Sequence, residues 1–398
     1  MRMLRGRTVK RAVLIALLCW SCAKAWPVRS WARTGAHTVN LTSMHMVTPT
    51  KGWGTTARSL VRPIDGCLHW LDANSPAIVA VAARGAAGIQ PREPEALALG
   101  PHGDLYIADR ARDQILKRRR DGSFFVVAGN GRAGFSGDGG PAIKAELNGP
   151  EGMTIGRAGT IYFADSQNER IRRVSPSGII TTIAGDGKLG SVMGATPALG
   201  ASLGDPADVI AGPHGDFYIA DAGSDQILRL SARGILTRVA GSSSLPYAGV
   251  YGVGKPATET SPDGPYGLAF DRSGNLYIAG INTKTLLMIN PQGIMTLPMG
   301  EDGFYPRGPG GMVTASDGRV LAMNNLRIVR LTPKGERTIF DFAGKHLLGP
   351  SGAFLPNGIA VGPNGTIYTD TDGVNGFSNT AALVAILPGG RTRVLWRA

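Results

Sequence analysis

Along most of the chain, apolar runs of four to six residues alternate with short polar stretches holding Gly, Pro, Asp or Asn, the spacing of β-strands joined by tight turns. In the segment Pro94–Gly129 the pattern predicts four strands, at Leu97–Leu99, Leu105–Ala108, Gln114–Arg118 and Phe124–Ala128. The first two are nearly continuous apolar runs, as expected of strands covered on both faces. The third mixes Ile115 and Leu116 with Lys117 and Arg118, which predicts a more exposed outer place.

The same pattern recurs. Pro94–Gly129, Pro150–Gly185 and Pro206–Gly241 align without gaps, a fourth unit opens at Pro265, a degraded fifth at Pro309 and a sixth at Pro356. The anchor positions Tyr106, Tyr162, Tyr218, Tyr277, Leu321 and Tyr368 lie 56, 56, 59, 44 and 47 residues apart. A four-stranded unit cannot bury its faces alone, so the units must stack side by side and close on themselves. The expected fold is therefore an all-β propeller of six blades. The stretch Ile64–Ala83 parallels the rear half of a unit, as the back of a seventh blade or as strands added to the edge of the last, so seven blades stay open.

The three gap-free units start with Pro, close their second strand on Tyr, an apolar residue, Ala and Asp, and end on Ala-Gly, and this pattern resembles the NHL repeat. Pro150–Gly185 carries it most fully, with Tyr162, Ala164, Asp165, Asn168, Ile171 and Arg172. The linker Gly129–Pro150 resembles the insertion between NHL units of many bacterial exported proteins and of teneurins. The resemblance implies a propeller from about residue 64 to the C-terminus, but no single function.

Residues 1–25 have the layout of a secretory leader: basic Arg2, Arg5, Arg7, Lys10 and Arg11, an apolar stretch Ala12–Trp20, and the small-x-small site Ala23-Lys24-Ala25. A retained membrane anchor would need about 20 apolar residues, twice this run. Acylation of Cys22 is disfavoured because Cys19 and Trp20 stand where a lipid-attachment motif has aliphatic and small residues. The expectation is export to the periplasm or the cell exterior, with residues 26–63 a poorly ordered lead-in. Cleavage would leave Cys67 as the lone cysteine, exclude an internal disulfide, and lower the formal net charge from +13 to +7. The 57 Gly and 26 Pro recur in register with the strands, so they indicate turns rather than low complexity.

Function tends to break a symmetry that folding preserves, so positions that differ between equivalent units are the informative ones. The residue after the opening Pro is Glu95, Glu151, Ala207, Tyr266, Gly310 and Asn357. Near one mouth of the central channel, Glu95, Glu151, Tyr266 and Asn357 could bind a sugar or a peptide, and Glu95, Glu151 and Asn357 could hold Ca²⁺, which prefers oxygen ligands. Gluconolactonase-type propellers, by resemblance, use a comparable Glu/Asn/Asp set. The alternative reading is solvated rim polars. By contrast Asp109, Asp165, Asp221 and Asp370 recur, and are expected to satisfy backbone donors of the following turn.

The stretch Asp370–Gly376 has the alternating oxygens of a Ca²⁺-loop fragment but lacks the terminal Glu, and is read as a turn-rich hairpin insertion. His102 and His214 occupy equivalent turns, and with His69 and His346 they suggest no shared metal, unlike the multi-histidine site of the amidating-lyase propellers this chain otherwise resembles. Cys67 has no assignable His partner. The runs Lys117–Arg120 and Arg170–Arg173 lack interleaved aromatics, which argues against nucleic acid and for a solvated edge strand, with membrane contact at most peripheral. Two functions follow as expectations. One is a monomeric binding or scaffolding module for a protein, peptide or glycan without a cofactor, and the other a Ca²⁺-dependent enzyme of the gluconolactonase or lyase type.

Overall fold

The computed structural model describes residues 89–119, 121–241, 252–262, 264–282, 284–299, 311–342, 356–371 and 382–397, with the backbone alone at 356–357, 371 and 396–397 and in four short strands before residue 72. The leader, and the residues of Asp370–Gly376 beyond Thr371, lie outside this set.

The chain divides into two compact units, Met1–Val81 and Ala82–Ala398. In the first, Val28–Arg29 pairs with Thr38–Val39, and Leu60–Ile64 pairs with Cys67–Leu71, each an antiparallel two-stranded sheet. No described helix is long and apolar enough to cross a membrane.

The second unit is a six-bladed β-propeller. Each blade is an antiparallel meander of four strands. Blade 1 consists of Pro94–Leu99, Leu105–Asp109, Gln114–Arg118 and Phe124–Ala128. The innermost strands of blades 2 to 6 are Pro150–Ile155, Pro206–Ala211, Pro265–Phe270, Met312–Thr314 and Pro356–Val361. Blade 3 gains a fifth, two-residue edge strand, Thr196–Pro197.

The hydrophobic core is a series of seams between neighbouring blades. Ala96, Ile115 and Ala128 of blade 1 meet Met153, Phe163 and Ile180 of blade 2, and equivalent clusters join each successive pair. The last seam sets the blade count: Leu97, Leu105 and Ile107 of blade 1 pack against Ala360 and Leu383 of blade 6. Blades 1 and 6 are thus direct neighbours, and the ring closes at six.

Polar ties reinforce the seams. The Asp that ends the second strand accepts backbone hydrogen bonds from the linker entering its own blade, while the turn after it contributes side-chain donors, Asn168 Nδ2 to Asp165 (3.0 Å) and Ser224 Oγ to Asp221. Asp109 receives Arg92 N (2.8 Å) and Glu93 N (3.1 Å), Asp165 receives Asn148 N (2.7 Å), and Asp221 receives Gly204 N (2.7 Å). A few residues on, Asp113, Glu169 and Asp225 adopt left-handed backbone at φ 52°, 54° and 53°. Their carboxylates reach the linker of the next blade, accepting from Gly149 N (2.9 Å), Asp205 N (2.6 Å) and Gly264 N (2.7 Å). The carbonyls of these same residues crowd Gly129, Gly185 and Gly241, where a Cβ would overlap them, which explains the Ala-Gly ending of the first three units.

One basic residue differs from expectation. Arg172 is fully buried, bonded to Asp165 (2.8 Å), Asp138 (2.8 Å) and the Ser136 carbonyl (3.0 Å), with Phe135 against its guanidinium. The linker holding Phe135, Ser136 and Asp138 folds over the third strand and converts an edge charge into a buried one. Lys117 and Arg119 stay nearer the surface, on Asp104 (2.8 Å) and the Phe125 ring.

Adjacent innermost strands approach so closely that Gly152 leaves no room for a side chain. A methyl there would stand 2.7 Å from the Ala207 carbonyl and overlap the Asp208 carboxylate. Gly152→Ala is therefore expected to destabilise the propeller by about 1–3 kcal/mol through overpacking. An unchanged urea midpoint and slope would show that the seam between blades 2 and 3 is looser than described.

Candidate functional site

In blades 1 to 4 and blade 6 the opening of the innermost strand is irregular in a repeated way. In blade 1 Pro94 pairs with Asp109 and Ala96 with Ala108, leaving Glu95 as the extra residue of a β-bulge. The register slips likewise at Pro206/Asp208, Pro265/Gly267 and Pro356/Ile359, and between Phe163 and Asp165 opposite Glu151 and Gly152. Glu95, Glu151, Ala207 and Tyr266 are therefore bulge residues, and Asn357 lies in the same irregularity. A bulge bends its strand and re-aims a side chain, and bulges concentrate beside functional sites.

Three of the four candidates converge. Glu95 and Glu151 are 7% and 4% exposed. Arg110, in the 3-10 turn Arg110–Arg112 directly after the second strand of blade 1, stands between them, 3.9 Å from the Glu95 Oε1 and 3.6 Å from the Glu151 Oε1. Tyr266 of blade 4 is half-buried, and the charges of Glu151, Glu95 and Arg110 all act on its hydroxyl. Blades 1, 2 and 4 thus present one constellation at the end of the channel where the innermost strands begin. The Asn357 side chain lies outside the described residues.

Burial is the largest influence on Glu151 and, with the like charge of Glu95 second, pushes its carboxyl up to about 8 against the pull of Arg110. Burial prevails because Arg110 is 37% exposed and neither of its contacts is as short as a charge-assisted hydrogen bond. Burial also raises the Tyr266 hydroxyl, reinforced by Glu151 and Glu95. Arg110 is held above its ordinary value, since the two carboxylates outweigh its desolvation. Among the described residues, the Glu151 carboxylate, the Arg110 guanidinium and the Tyr266 hydroxyl make no hydrogen bond within the protein.

Arg110 and Asp208 went unnoticed in the sequence, although both break the repeat. Equivalents of Arg110 are Ser166, Ala222 and Ile281, and Asp208 stands where the other blades have Ala96, Gly152, Gly267, Gly311 and Gly358. Asp208 is 3% exposed and accepts Val209 N (2.8 Å) and Leu268 N (3.0 Å), so it ties blade 3 to blade 4. Burial pushes its carboxyl up to about 8. Beyond it the other half of the channel is a cavity of about 240 Å³, lined by residues such as Leu99, Met153, Ile155, Ile210, Val313 and Val361. The mouth and the cavity are distinct, with Asp208 lining the cavity at the boundary.

No group of three or more His, Cys, Asp or Glu among the described residues has the arrangement of a metal site. His102 and His214 are exposed in their turns. His69, His346 and Cys67 lie outside the described side chains.

The Teneurin NHL domain model matches residues 104–197, which run from the second strand of blade 1 through blade 2 into the linker that follows it. Teneurin-3 of Mus musculus is 30% identical over 205 residues, covering 46% of this chain and 7% of that protein. The chain is an NHL-repeat propeller. Teneurin-4 of Homo sapiens is 27% identical over 298 residues, 60% of this NHL propeller and 10% of that protein, so the chain spans about 7 to 10% of these relatives' length. Among solved structures, virginiamycin B lyase from Staphylococcus aureus aligns with a TM-score of 0.48, 15% identity, and coverage of 78% of the NHL propeller's chain and 85% of its own. A gluconolactonase from Xanthomonas campestris gives 0.47, 14%, 71% and 84%. Likeness at that level has no bearing on chemistry.

The raised Glu151 carboxyl predicts a pH dependence of stability. Its native value of about 8 exceeds the ordinary 4.5, so between these limits the native state binds more protons than the unfolded state. Stability must therefore fall as pH rises through that window. The melting temperature should drop between pH 5 and 8, and Glu151→Gln should flatten the profile. An identical slope in wild type and variant would show that Glu151 titrates normally.

Proposed function

We propose that this NHL propeller is an exported, monomeric binding module that receives a protein, peptide or glycan ligand at the mouth formed by Glu95, Glu151, Arg110 and Tyr266, and that it acts without nucleic acid and with at most peripheral membrane contact. One observation carries the reading. The Glu151 carboxylate is nine-tenths buried, yet no described group of the protein donates a hydrogen bond to it. Buried polar groups are normally paired, and an acceptor held in reserve beside a guanidinium and a phenol with the same unused capacity is built to be completed by another molecule. The fold does not require these residues, because equivalent positions hold Ala207, Ser166 and Ala222 in blades that close equally well. Export rests on the layout of residues 1–25.

The competing reading, a Ca²⁺-dependent lactonase or lyase, takes Glu95, Glu151 and Asn357 as ligands. It requires Ca²⁺ to enter where the Arg110 guanidinium already balances the two carboxylates, and like charges would oppose each other there. A thermal-shift screen against peptide and glycan libraries, with a parallel Ca²⁺ titration, separates the two. Binding predicts hits whose shift disappears in Glu151→Gln and survives in His214→Ala, at an exposed turn. Hits indifferent to Glu151 would move the site elsewhere, and Ca²⁺ binding with turnover of a lactone would favour the enzyme.

A further inference from the structure

Resting on the mouth as the binding site, we infer that its ligand is a protein or peptide offering a lysine or arginine side chain, which takes the place of Arg110 between Glu95 and Glu151. Charge is the first ground. The acidic side chains Glu95 and Glu151 converge on the Arg110 guanidinium in a poorly solvated place, where a cation is favoured over a neutral or anionic group.

Access is the second. At 7% and 4% exposure the two glutamates lie beneath the rim, so a cation must arrive on a slender stem. Lysine and arginine have such stems, whereas the ammonium of an amino sugar sits directly on a bulky ring. The half-buried Tyr266 offers an aromatic face to the stem and to the charge.

Arg110 itself supplies the third ground, because it shows that a guanidinium on a flexible stem fits between the carboxylates. Its hold is loose: contacts of 3.6 and 3.9 Å, no hydrogen bond, and 37% of the side chain exposed. It belongs to a short turn rather than a strand, so its side chain can swing outward while the backbone bond from Arg110 N to the Glu93 carbonyl (2.9 Å) stays. Arg110 therefore acts as an internal competitor, keeping the glutamates compensated until a basic side chain with better geometry displaces it. No covalent step is involved. A ligand cation that makes shorter bonds than Arg110 also favours the ionised form of Glu151, so its capture should expel a proton near neutral pH.

The test is calorimetric titration of the full chain with the capped tripeptides acetyl-Gly-Lys-Gly-amide and acetyl-Gly-Arg-Gly-amide, with the norleucine tripeptide as neutral control. The basic tripeptides should bind and the control should not. Arg110→Ala should tighten binding about tenfold by removing the competitor. Glu151→Gln should abolish it, and the wild-type enthalpy at pH 7 should vary with buffer ionisation heat. Arg110→Ala alters a half-exposed turn residue outside the seams and should still fold, so its affinity can be read even if Glu151→Gln folds poorly. Equal or weaker binding to Arg110→Ala, or equal binding of the norleucine peptide, would overturn the inference. A library hit that needs Glu151 while the basic tripeptides fail to bind would also overturn it yet leave the mouth as a binding site. Loss of every Glu151-dependent hit would remove both.

Discussion

A four-stranded sheet with two apolar faces has no way to leave water except against another such sheet. Every feature of this propeller follows from that constraint. It turns the hydrophobic core into a circle of seams, and a circle of seams has no stable end until the last blade meets the first. Leu97, Leu105 and Ile107 against Ala360 and Leu383 are that meeting, and they fix the number of blades. Because each seam is made by short strands of one chain, the polar ties work between neighbours: Asp113, Glu169 and Asp225 each hold the linker of the following blade. Order is passed from blade to blade.

The same geometry makes a site without designing one from the start. Six innermost strands must converge, and the bulge after the opening Pro in five of them turns the residue beside it away from the regular alternation. Where that residue is Ala207 the bulge has only backbone consequences. Where it is Glu95, Glu151 or Tyr266, a repeated structural device becomes a means of bringing unlike side chains from distant blades together. Burial then does the electrostatic work, since carboxylates so placed are driven toward their neutral forms unless a cation stays near.

How far the sequence disclosed this depends on how local each feature is. Strand positions in blade 1 were legible because turn residues bound them, and comparison of equivalent positions singled out Glu95, Glu151 and Tyr266. The same comparison, one residue past Asp109 and two past Pro206, would have shown Arg110 and Asp208, whose equivalents are small or apolar. Arg172 was misread for a different reason. Its neighbours in sequence describe an edge strand, but Asp138 and Ser136, 34 and 36 residues earlier, fold over it, and no local pattern records that cover. The seam with blade 6 is equally non-local, which is why Ile64–Ala83 looked like part of a seventh blade.

The position of Arg110 bears on how such a scaffold acquires a ligand. Two carboxylates forced into a bulge are an electrostatic liability to the folded state, and the least disruptive relief is a cation from a loop rather than from a strand. A strand residue would be locked into the seams and would satisfy the glutamates permanently. A turn residue satisfies them well enough for folding and weakly enough to be replaced. The loose contacts of 3.6 and 3.9 Å are what that compromise produces. On the binding role proposed above, a mouth kept acidic for its ligand but compensated for stability takes the compensating charge from a turn position such as that of Arg110.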